Sequence, residues 1–465
     1  MAPSAQPNLL KSAGVVGLMT LFSRITGVFT RTLINAHLGA GPIADAFNVA
    51  YRLPNLLRRF TAEGTMTSAF LPTLSEVESR DGEAKGREMV AKFIGTLACG
   101  LSLLTVLMLL AMGLVMGLQM LGRIAPEGTP VLEQLRVLGA VLWGRREAPE
   151  DVLAAIRLGR IMYPYLMLVS VTAGMAAVLN LRNRFALPAS VSTFGNLAFL
   201  GFAGFWLGFH PTQGQPPVRA ALCLALATLV SGVVQLAVLL PTFRKLGYGF
   251  HWGLHWRHEG VRSALKRMVP GILGTGVYPI NVFISTILAS QLADGAQTVL
   301  FTSTMLGELV LGLFSASIAT VSLPAMSKLV DARDLSGLRS SLATALRGTA
   351  VMVVPASVGL AVLATPIVAF LFRWGRFDAT AVEWTARTLV WQAVGLLLVA
   401  SGRIVTQCLY ALKDYRTPAL ASLLGVATNI LFTILLMGPM DTRGVSLANA
   451  LAALASLGVT WAVLS

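Results

Sequence analysis

The chain has 465 residues, 55% of them hydrophobic and only 12% charged, about half the charge of an ordinary soluble chain. That balance excludes disorder, a nucleic-acid-binding tail protein and an ordinary soluble enzyme. Lys and Arg outnumber Asp and Glu by 36 to 21, for a net charge of +15. In a membrane protein such an excess anchors loops against anionic lipid or binds an anionic substrate, and no nucleic-acid partner is expected.

Apolar runs of about 20 residues, the length a helix needs to cross the hydrocarbon core, recur along the whole chain. They predict an all-α polytopic membrane protein with about twelve transmembrane helices: 10–38, 43–73, 88–121, 152–181, 188–209, 217–243, 264–293, 297–327, 340–372, 380–412, 417–438 and 443–465. The first run is not read as a cleavable signal, because Arg24 and Arg31 interrupt it and no small-residue cleavage site follows. Cys99, Cys223 and Cys408 lie far apart inside apolar runs and give neither a disulfide framework nor a metal spacing.

The first two spans hold charge where charge is expensive. Arg24 and Arg31 are seven residues apart, nearly two helical turns, and so lie about 20° apart on one face of span one. One Arg at a helix centre costs about 2.5–3.5 kcal/mol on insertion scales, so both are expected to face a water-filled cavity. Span two carries Asp45, Arg52, Pro54, Asn55, Arg58, Arg59 and Glu63. Pro54 removes a backbone hydrogen bond, Asn55 can satisfy a freed group, and a broken basic helix of this kind lines a substrate path. Snorkelling to the headgroups is the competing reading for Arg58, Arg59 and Glu63.

The loops after even-numbered spans hold Arg182 and Arg184, then Arg244 to Arg267, then Lys328, Arg333 and Arg339, then Lys413 and Arg416. By the positive-inside rule both termini are cytoplasmic. The segment around Arg123, Arg136, Arg145 and Arg146 is the exception, a longer outer loop that weakens the bias. Between spans six and seven, His251, His255 and His258 fall at i, i+4 and i+7, a metal-ligand spacing if that segment is one helix. With Trp252 and Trp256 among basic residues, an interfacial segment on the inner leaflet is the preferred reading.

The chain also repeats itself. Leu71-Pro72 is echoed by Leu323-Pro324, and Leu179 precedes Pro188 by nine residues as Leu409 precedes Pro418. Six spans separate equivalent points, so two six-helix halves should run parallel, with a substrate site between them. The expected division is an N-terminal lobe, 1–245, an amphipathic cytoplasmic linker, 246–263, and a C-terminal lobe, 264–465. In the second half Glu308 is the main charge within a span, a candidate ion-pair or gating residue, and Asp294 sits at a loop edge. Asn429 and Thr433, one turn apart, are weak candidates for a sodium site, interhelical hydrogen bonding being preferred.

Several arginines on facing helices suit bidentate recognition of a diphosphate. Moving such an anion outward from a negative interior releases about 2.3 kcal/mol per charge per 100 mV. No cofactor is expected; a coupling cation or the membrane potential would supply the drive.

Asn8-Leu-Leu-Lys-Ser12, Ser23-Arg24, Gly39-Ala-Gly41, Asp45-Ala-Phe47, Leu53-Pro-Asn-Leu-Leu-Arg-Arg59 and Ala62-Glu-Gly64 resemble, in order, the first two helices of the MurJ/MviN lipid II flippases of the MOP exporter superfamily. Leu323-Pro324, Leu371–Phe377 and Tyr410–Pro418 extend the resemblance over essentially the whole chain. It implies a MATE-like fold in the bacterial inner membrane. It also implies alternating-access transfer of undecaprenyl-diphosphate-linked disaccharide-pentapeptide to the outer leaflet, by a single copy associating with the cell-wall synthesis machinery. The family's cavity arginines map onto Arg24 and Arg58. A third falls on Thr30, and the shared face with Arg24 assigns its role to Arg31, beside Ser23, Asn55 and Arg59. Asp45 and Glu308 match a helix-two aspartate and a helix-eight glutamate, and Glu63 joins them as a gating candidate. The family's helix-eight arginine is Met305 here, and the family has fourteen helices against the twelve read in this sequence.

Three other readings are weighed. A flippase for a different polyprenyl-diphosphate-linked oligosaccharide fits almost every residue above. A cation or drug antiporter would need acidic residues in the membrane, where this chain has arginines. A glycosyltransferase would need loop carboxylates with a metal cluster or nucleotide loop, which the sequence lacks.

Overall fold

The computed structural model describes residues 9–61, 65–125, 128–209, 216–275 and 277–464. Among these, all regular structure is helical. Helix α1 spans Leu9–Leu38, α2 Pro42–Thr61 and α3 Thr65–Asp81, the last two together making the second span. Next come α4 (Glu83–Leu110), α5 (Met112–Gln119), the short α6 (Leu121–Ile124) and α7 (Val131–Leu142). Helices α8 (Glu150–Met162) and α9 (Tyr165–Leu181) form the fourth span, broken at Pro164, and α10 (Ala186–Phe209) and α11 (Pro217–Lys245) follow. The chain continues as α12 (Glu259–Thr275), α13 (Val277–Ala289) and α14 (Ala296–Val310). A π-helical turn, Leu311–Ser315, then leads into α15 (Ala316–Asp331). Last are α16 (Leu335–Val362), α17 (Ala364–Phe372), α18 (Ala379–Ala411), α19 (Arg416–Met440) and α20 (Thr442–Leu464). Each of the twelve expected spans corresponds to one of these helices or a consecutive run of them. Nine helical stretches among the described residues are long and apolar enough to cross a membrane by length and composition.

The chain packs into two compact units. Unit 1 comprises residues 1–38, 46–118 and 136–279; unit 2 comprises 39–45, 119–135 and 280–465. These units follow packing, whereas the division at 245 and 264 follows the sequence repeat. The core of unit 1 gathers Phe70, Leu74, Phe93, Met175, Leu239 and Phe243, with Phe70 and Phe93 stacked at 4.1 Å. The core of unit 2 gathers Val353, Phe372, Phe377, Leu389 and Leu396.

Helix α19 illustrates how burial is inverted in a membrane protein. Its buried line is Ala421, Gly425, Asn429 and Thr433, and its exposed line is Leu420, Leu424, Leu431 and Leu435. Lipid tails are as apolar as leucine, so close packing and interhelical hydrogen bonds decide which residues go inside. A Cβ on Gly425 would lie 2.3 Å from Ser456 Oγ, which itself donates to the Ala421 carbonyl at 2.9 Å.

The second sequence echo reappears in the backbone. Asn183 and Lys413, each four residues after the echoed leucine, both take positive φ, 57° and 63°. The Arg184 amide closes on the Leu179 carbonyl at 2.9 Å, and the Asp414 amide on the Leu409 carbonyl at 2.9 Å. The same turn therefore ends α9 in one unit and α18 in the other. In the first echo, Pro72 and Pro324 both lie inside helices, α3 and α15.

Candidate functional site

Residues 1–61 contain six Lys or Arg residues and one acidic residue, Asp45. In unit 1, Arg31 is only 3% exposed on α1, and its Nη1 donates to Asn48 Oδ1 on α2 at 2.6 Å. A full guanidinium charge in an apolar helix is tolerable only with such a hydrogen-bonding partner. Arg24 and Ser23, about two turns earlier on α1, are half-buried. The adjoining turn is fixed by Asn196 of α10, whose amide donates to the Ser23 carbonyl and to Thr26 Oγ1, both at 3.0 Å.

On α2, Arg58 is half-buried, and the Tyr51 hydroxyl lies within electrostatic reach of Arg31, Arg58 and Tyr165. Tyr51 stacks on Phe47 at 6.0 Å, which sets its ring. Pro54 lies inside α2 and lacks the amide that a helix would direct to Ala50. Asn55 spends its side-chain amide on the neighbouring Tyr51 carbonyl at 2.9 Å, not on the Ala50 carbonyl that Pro54 leaves free. The structure thus brings Arg31, Asn48, Tyr51 and Arg58 together, with Arg24 further along the α1 face it shares with Arg31. The side chain of Arg59 and the whole of Glu63 lie outside the described residues.

Asp45 takes part in a different cluster, within unit 2. Gly295, the N-cap of α14, has φ +92° and no side chain with which to cap the helix. Asp45 supplies the missing acceptor from about 250 residues away. Its Oδ1 accepts from the Thr298 amide at 2.8 Å and from Thr298 Oγ1 at 2.7 Å, and its Oδ2 accepts from the Gly295 amide at 2.8 Å. A carboxylate here meets both the free amides and the positive end of the helix dipole, an arrangement worth up to about 2 kcal/mol. Arg123 completes the cluster, donating to Asp45 Oδ2 at 3.4 Å and pairing with Asp294.

Neighbouring segments of the unit reinforce this strap. The Gly122 amide donates to Ser290 Oγ at 3.0 Å, and the Gln134 and Gln291 amides exchange hydrogen bonds at 3.0 and 2.9 Å. A Cβ on Gly295 would lie 2.9 Å from the Ala40 carbonyl, so glycine is needed for space as well as for its positive φ. Sequence reasoning flagged Asp45 and missed Arg123 and Thr298. The available signal was Arg123 in the one basic loop that runs against the charge bias expected of the chain.

The remaining candidates fall elsewhere. Glu308 is exposed on α14, ten residues or about 15 Å along the axis from Thr298, so it does not join the strap. It lies three residues before the start of the π-helical turn, and Met305 is half-buried one turn before it. Asn429 is fully buried, accepting from Ser285 at 2.9 Å and donating to Asn449 at 2.9 Å, which is interhelical bonding. Thr433 is fully buried one turn on. The segment 246–258 is not helical, with Gly247 and Gly253 at φ +80° and +140°, so the histidine spacing does not become one helix face. Among the described residues no group of three or more His, Cys, Asp or Glu is placed to hold a metal ion.

The geometry agrees with three comparisons. The protein described as lipid II flippase MurJ of Burkholderia cenocepacia is 32% identical over 415 residues, 88% of this chain and 75% of that one. A solved structure titled lipid II flippase MurJ, inward closed conformation, superposes with a TM-score of 0.76 at 22% identity, covering 97% of this chain and 87% of that chain. A multidrug resistance MATE family transporter of the MOP superfamily, in an inward-facing conformation, superposes with a TM-score of 0.71 at 12% identity, covering 96% of this chain and 97% of that chain. These two share the fold. The family model described as lipid II flippase MurJ matches residues 34–465, and the chain belongs to that family of membrane transporters.

Proposed function

We propose that this protein flips lipid II, the undecaprenyl-diphosphate-linked peptidoglycan precursor, from the inner to the outer leaflet of a bacterial cytoplasmic membrane by alternating access. Family membership supports the substrate. The observation that carries the mechanism is the arginine group of unit 1, with Arg31 buried against Asn48 and Arg58 and Tyr51 beside it. Guanidinium groups form paired hydrogen bonds with phosphate oxygens, so this group suits the diphosphate and leaves the sugar and peptide to wider space.

The excess of Lys and Arg in even-numbered loops supports cytoplasmic termini, and so an outward-facing position for the strap. On this reading the Asp45–Thr298–Arg123 cluster is the outer latch, which must release for the substrate to leave. Since Asn429 is already engaged by Ser285 and Asn449, the membrane potential is the drive this reading favours.

The test uses bacteria depleted of their own lipid II flippase and expressing this chain at a verified level. Lipid II should reach the periplasmic face, and delivery should disappear with Arg24→Ala or Arg58→Ala at unchanged membrane insertion. No delivery by a correctly inserted wild-type protein would move the assignment to another polyprenyl-diphosphate-linked oligosaccharide.

A further inference from the structure

The segment 246–258 between α11 and α12 lies in unit 1, where its backbone is fixed on α4. The His251 amide donates to the Ala91 carbonyl at 3.2 Å, and the His255 amide donates to Thr96 Oγ1 at 3.0 Å. A Cβ on Gly95 would lie 1.7 Å from the His251 carbonyl oxygen, so the close approach depends on glycine. At its start, Tyr248 accepts from Arg182 at 2.7 Å, and Arg182 also pairs with Glu78. The segment is therefore seated, not loose.

Its outward side chains are unusual for a seated loop. Trp252, Leu254 and Trp256 are 68%, 45% and 62% exposed. Beside them is a cavity of about 480 Å³ lined by Lys92, Leu254, His255, Trp256, Arg257 and His258. His258 Nδ1 is buried and finds no hydrogen-bond partner among the described residues.

The cations that line the cavity are Lys92 and Arg257, on a segment rich in basic residues. From Arg244 to Arg267 the chain carries six Lys or Arg residues and one Glu. That residue, Glu259, pairs with Arg80 at 3.4 Å, and Glu88 of α4 pairs with Lys92. Burial, and then the neighbouring Lys92 charge, hold His258 below the ordinary histidine value. It therefore adds no positive charge to the cavity near pH 7.

We propose that this cavity binds the phosphate headgroup of an anionic membrane phospholipid, with Trp252, Leu254 and Trp256 set into the headgroup–acyl boundary. Exposed indoles flanked by cations are what such a boundary stabilises. Arg257 supplies the planar donor fork that a phosphate accepts, and Lys92 supplies a further donor. A free anion would explain the cations but not three outward apolar side chains. The proposal rests on the inward placement of this linker; the lipid titration below does not depend on flipping, so either reading can fail alone.

The test is native mass spectrometry of the purified full chain titrated with phosphatidylglycerol or phosphatidylcholine. Phosphatidylglycerol should bind more tightly, and the double variant Lys92→Gln/Arg257→Gln should weaken it by about tenfold or more. Removing the same charge at Arg244→Gln/Lys245→Gln should have a much smaller effect. Equal loss from both double variants, no preference over phosphatidylcholine, or displacement by millimolar inorganic phosphate would overturn the proposal. On unaltered protein, acyl-brominated phosphatidylglycerol should quench tryptophan fluorescence more than brominated phosphatidylcholine. That excess should vanish in Trp252→Phe/Trp256→Phe, and its persistence there would place the lipid elsewhere.

Discussion

Each unit holds an arginine largely out of water, and the bonds described for the two differ. Arg31 of unit 1 is oriented by a neutral amide, Asn48, whereas Arg123 of unit 2 lies between two carboxylates, Asp45 and Asp294. An amide orients a guanidinium without cancelling its charge, and a carboxylate does both. The first arrangement suits a group that has to meet an anion, the second a clasp that holds segments together. The same side chain thus serves two ends, and the partner decides which.

The comparison can be broken most directly where the free energy at stake is greatest. Arg24→Ala or Arg58→Ala should cut lipid II delivery by about tenfold or more, since a hydrogen bond to a charged group contributes about 1.5–3 kcal/mol. Next, Asn48→Asp would place a carboxylate where Arg31 now meets an amide. Delivery should fall several-fold while thermal stability in detergent holds or rises; unchanged delivery would show that the Arg31 charge is not used.

Conversely, Asp45→Asn strips the clasp of its charge and should weaken it by about 1.5–3 kcal/mol. Hydrogen exchange at the Gly295 and Thr298 amides should accelerate by about tenfold or more, while exchange on α1 stays as it was. The smallest effect belongs to the repeated turn. Lys413→Gly should raise stability by about 0.5–1 kcal/mol and Asn183→Gly by less, because asparagine tolerates positive φ better than lysine does. Equal melting shifts would mean that the two turns are not under the same strain.

The spans were legible because hydrocarbon thickness imposes one length on every crossing helix, and the repeat because two turns of one geometry select similar residues. The Arg24–Arg31 face followed from helical period alone. What escaped was whatever depends on distant partners. Nothing near Gly295 announces that Asp45 will cap it, and Asn48 gave no local sign of meeting Arg31. The linker escaped for the converse reason. Its histidines have helical spacing, but Gly247 and Gly253 adopt backbone angles that no helix contains, and the hydrogen bonds to Ala91 and Thr96 replace helical ones.

The cap on α14 also has a history in time. At ribosomal rates of roughly 5–20 residues per second, Asp45 exists for about 13–50 s before Thr298 is made. During that interval its carboxylate has no helix end to receive it, and burying it charged would be costly. The clasp is therefore assembled late, once the eighth span arrives and draws residues 39–45 onto itself. A nascent chain arrested before Ala296 should leave the cysteine of Ala44→Cys, beside Asp45 and 1% exposed in the folded chain, open to water-soluble reagents, and release of the arrest should close it.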